Sequence, residues 1–320
     1  MRPESGRRPL PIALRSPLRS IRFAARGAAR IRAGLYTIAL LLVVSLPAAA
    51  ATLASWNIRH LGHGEHKHYA ALGEVVERAG FDFLAVQEAM TEEGVERLRS
   101  AIEAATGADW ELLVSHDLGR GAYKERYAFL WNRSVVEYVD GAVVYLDITD
   151  RFAREPFSAR FRLRDVGMTF VAATVHILHG RGVADRTPEI DALGAYWRWL
   201  EEIYPEDAAR VLLMGDFNLA PHHPAWAALR TAAEPLIVDG ATTLSSVDGR
   251  FANLYDNIWI PAAHELPIAS SGTFEFPVRL GVTHEHARRH ISDHAPVWVR
   301  LGAPSPERET LVSPVVGTIR

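Results

Sequence analysis

Residues 211–218 read VLLMGDFN, a short apolar run that ends abruptly in a carboxylate and an amide. The run predicts a buried strand, and Asp216 and Asn218 follow where that strand ends. The same arrangement recurs at the ends of three other predicted strands, which carry Asn57, Glu88 and His176. Because strand ends in layered α/β folds lie along one edge, we expect these polar side chains to converge although they are far apart in sequence.

Each of these polar residues has a simpler interpretation when it is taken alone. Glu88 could be an acid at the start of a helix, Asn57 a turn residue, and Asp216 a turn or helix cap. The repetition favours a common site, because the same kind of side chain follows four separate apolar strands.

Short apolar runs rich in β-branched or aromatic residues alternate with segments of helical period, which predicts an α/β protein. Strands are predicted at residues 52–58, 81–87, 127–131, 157–164, 169–177, 211–214, 257–260 and 295–301. One amphipathic helix is predicted before Gly80, a second after Thr91, and a third beginning at Thr187-Pro188. No internal repeat divides the chain, so residues 51–302 are expected to form one domain.

The first 50 residues differ from the rest in charge and in apolar pattern. They hold nine arginines against a single acid, Glu4, and end with the apolar run 35–46 and small residues at 48–51. This order is typical of a secretory signal. A membrane anchor is the alternative, but the run has about a dozen residues and a spanning helix needs about 20. We therefore expect residues 1–50 to be a cleaved signal peptide. The mature protein is then a periplasmic or extracellular monomer without stable membrane association.

Composition narrows the chemistry further. The chain has no cysteine, so disulfides, thiol nucleophiles and cysteine metal sites are excluded, and any metal must bind through oxygen or imidazole. The net charge is −3 for the whole chain and −11 once residues 1–50 are set aside. Such an acidic domain binds a polyanion only where cations or a local basic patch offset the charge. Residues 303–320, rich in Pro, Ser and charge, are expected to be a disordered tail.

Two clusters add histidine–carboxylate chemistry near the last two predicted strands. Asp293 and His294 precede the final strand, and Tyr255 and Asp256 precede the strand before it. A carboxylate that holds one ring nitrogen of a histidine orients the ring and makes it more basic, which suits general acid–base catalysis. The candidate pairs are His294 with Asp256 and His176 with Glu125. The other histidines are taken as ordinary surface or core residues.

The segments around these residues resemble the endonuclease/exonuclease/phosphatase family, and within it the deoxyribonuclease I type. The matching segments are residues 54–59 (ASWNIR), 86–88 (VQE), 214–218 (MGDFN), 255–258 (YDNI) and 291–297 (ISDHAPV). Residues 118–127 (LGRGAYKERY) and 154–156 (REP) are closer to the deoxyribonuclease I type than to the wider family. Each motif alone is weak, but the ordered set, spread from about residue 51 to residue 301, is specific.

The resemblance implies an α/β fold of two β-sheets packed face to face as a sandwich, with helices on the outer faces and an active site at one edge. Three residues are implied as metal ligands: Glu88, Asn57 and Asp293. Six are implied in catalysis: the histidines His176 and His294, their supporting acids Glu125 and Asp256, and the phosphate- or metal-holding residues Asp216 and Asn218. Four are implied to bind the substrate: Arg120, Tyr123, Arg154 and Tyr255.

These implied roles agree with the chemistry of phosphodiester hydrolysis. That reaction needs an activated water, a hard cation that neutralises charge on the phosphate, and help for the leaving oxygen. Carboxylate and amide oxygens suit Mg²⁺, which we favour, with Ca²⁺ or Mn²⁺ as alternatives. We therefore expect a secreted, metal-dependent endonuclease that hydrolyses DNA phosphodiester bonds through histidine-assisted attack by water.

Two departures from the deoxyribonuclease I type keep alternatives open. The disulfides of that type are absent here, and Met90 stands where the deoxyribonuclease I type carries an arginine that reaches into the minor groove. Together with the acidic charge, Met90 favours a related phosphodiesterase or phosphatase that acts on a small or lipid phosphoester. A non-catalytic binding or toxin-accessory module on the same fold is a third alternative. It would require the loss of catalytic residues, whereas every expected residue is present.

Overall fold

The structure is a computed structural model that describes residues 51–64 and 66–302. The signal peptide and the tail, predicted for residues 1–50 and 303–320, lie outside the described residues and stay predictions. Five α-helices are described: α1 Tyr69–Ala79, α2 Glu92–Thr106, α3 Val183–Ile203, α4 Phe276–Leu280 and α5 His284–His290. None of these helices combines the length and the apolar character that a membrane span requires.

Twelve described strands form two six-stranded sheets. From edge to edge, the first sheet contains β11 (Ile268–Thr273), β12 (Val297–Leu301), β1 (Ala51–Leu61), β2 (Phe83–Ala89), β4 (Arg126–Asn132) and β3 (Trp110–Val114). The second contains β5 (Val136–Val144), β6 (Phe157–Leu163), β7 (Thr169–His176), β8 (Val211–Asp216), β10 (Asp256–Pro261) and β9 (Ala233–Pro235). Neighbouring strands are antiparallel except for the parallel pairs β1–β2 and β7–β8. The predicted sandwich is confirmed.

Side-chain alternation along the strands builds three apolar layers. In β1, Leu53 points between the sheets, whereas Trp56 packs on the outer face with apolar residues of α1 and α2. The layer between the sheets contains an aromatic cluster in which the ring centroids of Phe83 and Phe161 are 4.9 Å apart. The outer face of the second sheet is covered by α3, for example through Trp197. Each such large side chain contributes about 1.5–3 kcal/mol by leaving water, so the two sheets are held firmly against each other.

The predicted strands are all present, with their ends shifted by at most three residues. The predicted ends of two helices are also confirmed. After α1 the chain turns at Gly80, where φ is 64°, a left-handed conformation that glycine adopts without strain. Before α2 the hydroxyl of Thr91 accepts a hydrogen bond from the backbone N–H of Gly94 at 3.0 Å and caps the helix.

The start of α3 differs from the prediction. The sequence predicts a start at Thr187-Pro188, but the helix begins at Val183, so Pro188 lies in the second turn and removes one backbone hydrogen bond there. Tertiary contacts stabilise the extra turn. Arg186 donates to the carbonyl oxygen of His179 at 2.7 Å, and the carboxylate of Glu189 accepts two backbone N–H groups, each at 3.0 Å. Propensity along the chain does not report such contacts.

Four strands escape the sequence analysis, namely β3, β5, β9 and β11, and each of them is an edge strand of its sheet. Edge strands are half solvated and need no continuous apolar run. In β5, for example, the nine residues include Asp140 and Gly141 and alternate between partly buried and exposed positions. The apolar pattern therefore predicts the central strands and misses the edges.

Gly215 allows β8 to approach β7 closely. A Cβ atom added at Gly215 would lie 2.0 Å from the carbonyl oxygen of Val175, and the glycine has φ of 150°. We expect Gly215→Ala to lower the free energy of unfolding by at least about 3 kcal/mol, because two paired backbones would have to separate. Gly167→Ala is the control, since Gly167 has φ of 66° with no atom within 4 Å of the added Cβ. It should cost about 1 kcal/mol. Urea unfolding measures both values, and equal losses would contradict the close-approach argument.

Candidate active site

Polar residues occupy the inward-facing positions at one end of the sandwich. On β7, β8 and β10 these positions carry His176, Asp216 and Asp256, and the strand register pairs Asp216 with each of the other two. Asn57 lies in β1 of the facing sheet, and its amide donates to Asp216 at 3.1 Å. The polar strand ends therefore do meet, and they terminate the same inner layer that elsewhere forms the apolar core.

His176 is fixed by a buried carboxylate. Its Nδ1 lies 2.8 Å from Oε1 of Glu125, whose side chain is fully buried. Nε of Arg154 lies 2.5 Å from the same carboxylate oxygen and also donates to the carbonyl oxygen of His176 at 3.1 Å. The hydroxyl of Tyr127 accepts the backbone N–H of His176 at 2.8 Å. These bonds orient the ring so that Nε2 faces Asp216.

His294 is fixed in the same manner from another direction. Its Nδ1 lies 2.8 Å from Oδ2 of Asp256, and the backbone N–H of Asp256 donates to the hydroxyl of Thr242 at 3.1 Å. The hydroxyl of Ser292 accepts the backbone N–H of His294 at 3.1 Å and donates to the carbonyl oxygen of Asn57 at 2.6 Å. The turn before β12 is thus tied to the end of β1.

The carboxylate of Asp216 lies between the two histidines. Its Oδ2 is 3.6 Å from Nε2 of His176 and 3.7 Å from Nε2 of His294. Its Oδ1 accepts the backbone N–H of Asn218 at 2.9 Å. Asn218 has a φ of 49° and donates from its side chain to the carbonyl oxygen of Ile177 at 2.8 Å. Two imidazoles therefore converge on one carboxylate oxygen.

Glu88 reaches the site through an irregularity in β2. The pairing of β2 shifts register after Val86, and Glu88 has a φ of 57°, which costs about 1–2 kcal/mol for a residue other than glycine. Regular alternation would turn Glu88 to the outer face. The bulge turns it inward, where Oε1 accepts from the amide of Asn57 at 3.0 Å.

Asn57 presents its NH₂ group to the carboxylates. The amide donates to both Glu88 and Asp216, while its oxygen accepts the backbone N–H of Arg59 at 2.9 Å. This geometry makes Asn57 a bridge that positions the two acids. Its expected role as a metal ligand stays a prediction.

Asp293 is paired with arginines. Its Oδ2 lies 3.3 Å from Nη1 of Arg59 and 3.6 Å from Nη2 of Arg288. Its role as a metal ligand stays a prediction.

Three of the four implied substrate-binding residues lie on accessible surface. Arg120 is half exposed and pairs with Asp150, with Nε 3.0 Å from Oδ1. Tyr123 is 48% exposed, with its hydroxyl 3.4 Å from Oε2 of Glu125. Tyr255 lines a cleft of about 350 Å³ together with Asn218, Asp293 and His294.

Arg154, the fourth of these residues, lies mostly inside the protein. It is only 8% exposed and is engaged with Glu125 and with the carbonyl oxygen of His176. The buried guanidinium therefore holds the Glu125 carboxylate in place, and its expected contact with a substrate stays a prediction.

The site concentrates buried charge. Burial alone would raise the pKa of Glu125, but His176 and Arg154 outweigh it and hold the pKa below its usual range. Burial likewise opposes ionisation of Asp216, yet the two histidines lower its pKa. Burial also opposes the charged imidazole of His294, but Asp256 and Asp216 outweigh it and raise the pKa of His294 to about 10. The resting site therefore favours charged imidazoles between carboxylates.

Lys67 supports the site in a way that no local sequence signal predicts. Its ammonium donates to the carbonyl oxygens of Ile58 at 3.0 Å, Arg59 at 2.7 Å and Ile291 at 2.9 Å. Burial lowers the pKa of Lys67 to about 8. The lysine joins the end of β1 to the segment that carries Asp293.

The donor set fits a hard cation. Glu88 is partly exposed and forms no ion pair with an arginine or lysine in the part of the chain that the structure describes. Asp216 is its neighbour on the other side of the Asn57 amide, which bonds both carboxylates. Asp216, Asp256 and His294 also hold ligand atoms within 4.8 Å of one another. We consider Glu88 the better anchor, because Asp256 is buried and already bonded to His294.

Comparison with known proteins agrees with this geometry. The model described as "Endonuclease/Exonuclease/phosphatase family" matches residues 54–294. A deoxyribonuclease of Thioalkalivibrio sp. is 53% identical over 290 residues, covering 88% of this chain and 78% of that protein. Deoxyribonuclease-1 of Canis lupus familiaris is 31% identical over 293 residues, covering 85% of this chain and 98% of that protein.

Solved structures share the fold at low sequence identity. An endonuclease/exonuclease/phosphatase family protein from Bacteroides thetaiotaomicron aligns with a TM-score of 0.57 and 18% identity, over 79% of this chain and 98% of that one. The human Nocturnin catalytic domain aligns with a TM-score of 0.56 and 14% identity, over 79% and 94% of the two chains.

The raised pKa of His294 predicts a pH-dependent contribution to stability. A histidine that holds its proton more tightly when folded stabilises the fold fully below the usual pKa of 6.5 and loses this contribution as the pH rises to about 10. The wild type should have a larger free energy of unfolding than His294→Gln below that interval, and the difference between the two should shrink across it. Urea unfolding in chelator measures it. Asp256→Asn should shift this loss of stability to lower pH, because Asp256 is the main group that raises the pKa of His294. A difference between wild type and His294→Gln that does not change with pH would refute the raised pKa.

Proposed function

We propose that this chain cleaves DNA with the help of a divalent cation. The premise is that it belongs to the endonuclease/exonuclease/phosphatase family and is a hydrolase of phosphodiester bonds. One observation carries the mechanism. Two histidines, each held by its own carboxylate, direct Nε2 to within 3.7 Å of the same oxygen of Asp216. A phosphodiester in the adjoining cleft would meet one imidazole on the side of the attacking water and the other on the side of the leaving oxygen.

We assign His176 as the general base and His294 as the general acid. The guanidinium of Arg154 shares the Glu125 carboxylate with His176 and, like burial, opposes a charged His176 ring, but Glu125 and Asp216 outweigh both and raise the pKa of His176 above its usual value. The base is therefore the neutral fraction of His176, which grows as the pH rises. His294 faces Asp256 and Asp216 and holds its proton firmly until a developing alkoxide takes it. Asp216 keeps both rings aligned, and Asn218 lines the cleft where the phosphate would lie.

We propose that Glu88 is the principal ligand of the cation, with Asp293 as a candidate second ligand and Asn57 positioning Glu88. When bound, the cation would neutralise charge on the phosphate oxygens, and Mg²⁺ suits the oxygen donors best, with Ca²⁺ or Mn²⁺ as alternatives. Glu88 is also fixed by the backbone N–H of His60, which donates to its Oε2 at 3.1 Å.

The surface beside the cleft supports a polyanionic substrate. A groove of about 680 Å³ shares Ser245, Ser246 and Arg288 with the catalytic cleft and is otherwise lined largely by basic and histidine side chains, including Arg59 and Arg289. This local positive charge offsets the net −11 of the mature chain near the scissile bond. Arg120 and Tyr123 are proposed to contact the substrate backbone, and Tyr255 to contact the substrate within the cleft.

We propose that the protein acts outside the cytoplasm as a monomer, after removal of residues 1–50, with residues 51–302 as the catalytic domain and 303–320 as a tail. The basic and apolar order of the first 50 residues supports export, either to the periplasm or to the medium.

A second candidate function is hydrolysis of a small or lipid phosphoester. The observation in its favour is Met90, whose sulfur lies 3.9 Å from the hydroxyl of Tyr123 and so presents an uncharged side chain beside the cleft. A positive charge there would favour a nucleic-acid groove. The basic groove described above outweighs this observation.

Glu88→Gln tests the metal assignment. The change keeps the side-chain shape but removes the ligand charge, so plasmid cleavage should fall by at least about 10²-fold and need more Mg²⁺ for half-maximal rate. Glu77→Gln, on the exposed face of α1, is the control and should cleave normally. The same assay with RNA and with a small phosphodiester ranks the two candidate functions. Undiminished cleavage in excess chelator would end the metal-dependent mechanism.

The division of roles between the histidines is testable with leaving groups. His294→Ala should lose about 10²–10⁴-fold in turnover of DNA, because the departing alkoxide needs a proton. Its loss should be far smaller with bis(p-nitrophenyl) phosphate, since nitrophenolate departs without one. His176→Ala should be impaired on both substrates, and the neighbouring His179→Ala on neither to that extent. The opposite pattern would exchange the two roles.

A further inference from the structure

A cluster of three histidines lies outside the catalytic cleft. It comprises His68, which precedes α1, and His286 and His290 of α5, and it is called the three-histidine cluster below. The ring centroids are 4.5 Å apart for His68 and His290, 4.8 Å for His286 and His290, and 5.2 Å for His68 and His286. His286 and His290 are four residues apart on a helix, which places both rings on one face. None of the three takes part in the proposed hydrolysis.

One histidine of the cluster is already held as metal-bound histidines are. Nδ1 of His290 lies 3.0 Å from the carbonyl oxygen of His66, and a carbonyl only accepts, so Nδ1 carries the proton. Nε2 of His290 is then left with a free lone pair. Metal-ligating histidines almost always donate their other ring N–H to a carbonyl or carboxylate in this way.

We propose that His68, His286 and His290 bind one transition-metal ion of the Zn²⁺, Ni²⁺ or Cu²⁺ class. Neutral imidazole suits these ions, whereas Mg²⁺ and Ca²⁺ prefer oxygen, so this site is chemically distinct from the one at Glu88. The proposal does not depend on the function proposed for the cleft.

The spacing fits such an ion once the ring of His68, which stacks on His290 with an interplanar angle of 17°, turns out of the stack. Three imidazoles on one tetrahedral ion, each with its nitrogen about 2.0–2.1 Å from the metal, have ring centroids roughly 5 Å apart. Among the described residues, only Asp216, Asp256 and His294 have ligand atoms that lie within 4.8 Å of one another. The nitrogens of the three-histidine cluster do not yet meet this distance, so its rings must turn before they can share an ion. His68 is exposed and His286 is half-buried, which leaves both free to rotate, while His290 stays anchored.

A metal at this position would brace the active site from outside. The backbone N–H of His68 already donates to the carbonyl oxygen of His290 at 2.8 Å, so the two segments lie side by side. One segment follows the strand that carries Asn57, and the other leads directly into Asp293 and His294. The ion would join both segments and raise the temperature at which they separate.

Isothermal titration of the purified protein with Zn²⁺ and Ni²⁺, in excess Mg²⁺, tests the proposal. We expect one equivalent that the double variant His286→Ala/His290→Ala loses and that His68→Ala binds at least about tenfold more weakly. The control is His116→Ala/His222→Ala, which removes two exposed histidines elsewhere and should bind as the wild type does. A His294→Ala background should retain the equivalent, which separates it from binding in the cleft.

Thermal unfolding provides the second readout. Without metal, the cluster variants should melt within about a degree of the wild type, since the substituted side chains are not in the core. With Zn²⁺, the wild type and the control should gain several degrees and the double variant should not. The proposal is overturned if the double variant binds the same number of equivalents, or if His68→Ala binds with wild-type affinity.

Discussion

The register between β7, β8 and β10 is the constraint on which the site depends. It pairs Asp216 with His176 on one side and with Asp256 on the other, so one row of backbone hydrogen bonds positions three side chains of the candidate active site. A slip of one residue would turn these side chains to the outer face of the sheet. Gly215 makes the register possible, because no side chain separates β8 from the carbonyl of Val175.

Charge burial at the end of the core is the main energetic cost of this arrangement. Moving carboxylates and imidazoles out of water is unfavourable unless each is paired and hydrogen-bonded. Here the pairs form a chain from Arg154 through Glu125 and His176 to Asp216, and on to His294 and Asp256. One oxygen of Asp256 has no partner among the described residues, so this network is held in place by the surrounding sandwich and not by its own bonds alone.

Backbone strain and long-range ties place the remaining groups. Glu88 and Asn218 both adopt left-handed conformations that β-strands and most side chains avoid. The strain is tolerated because both residues are held by hydrogen bonds. Asn57, on the neighbouring strand of the same sheet, donates to Glu88, and Asp216, at the end of β8, accepts the backbone N–H of Asn218. Lys67 then joins the two segments that bracket the site. Its largely buried ammonium is satisfied by backbone carbonyl oxygens, and no carboxylate of residues 51–64 and 66–302 forms an ion pair with it.

The sequence by itself determined the central strands, the C-terminal end of α1, the N-terminal end of α2, the family and the identity of the polar residues at the strand ends. Alternation and helix capping depend on residues that are near one another in the chain. It did not reveal the four edge strands or the early start of α3, which depend on neighbours distant in sequence. Only the tertiary structure shows that Asn57 bridges two acids and that Arg154 pairs with Glu125. The physical reason is separation: Lys67 and Ile291 meet across 224 residues, and no local pattern specifies which side chain will satisfy a buried group that far away.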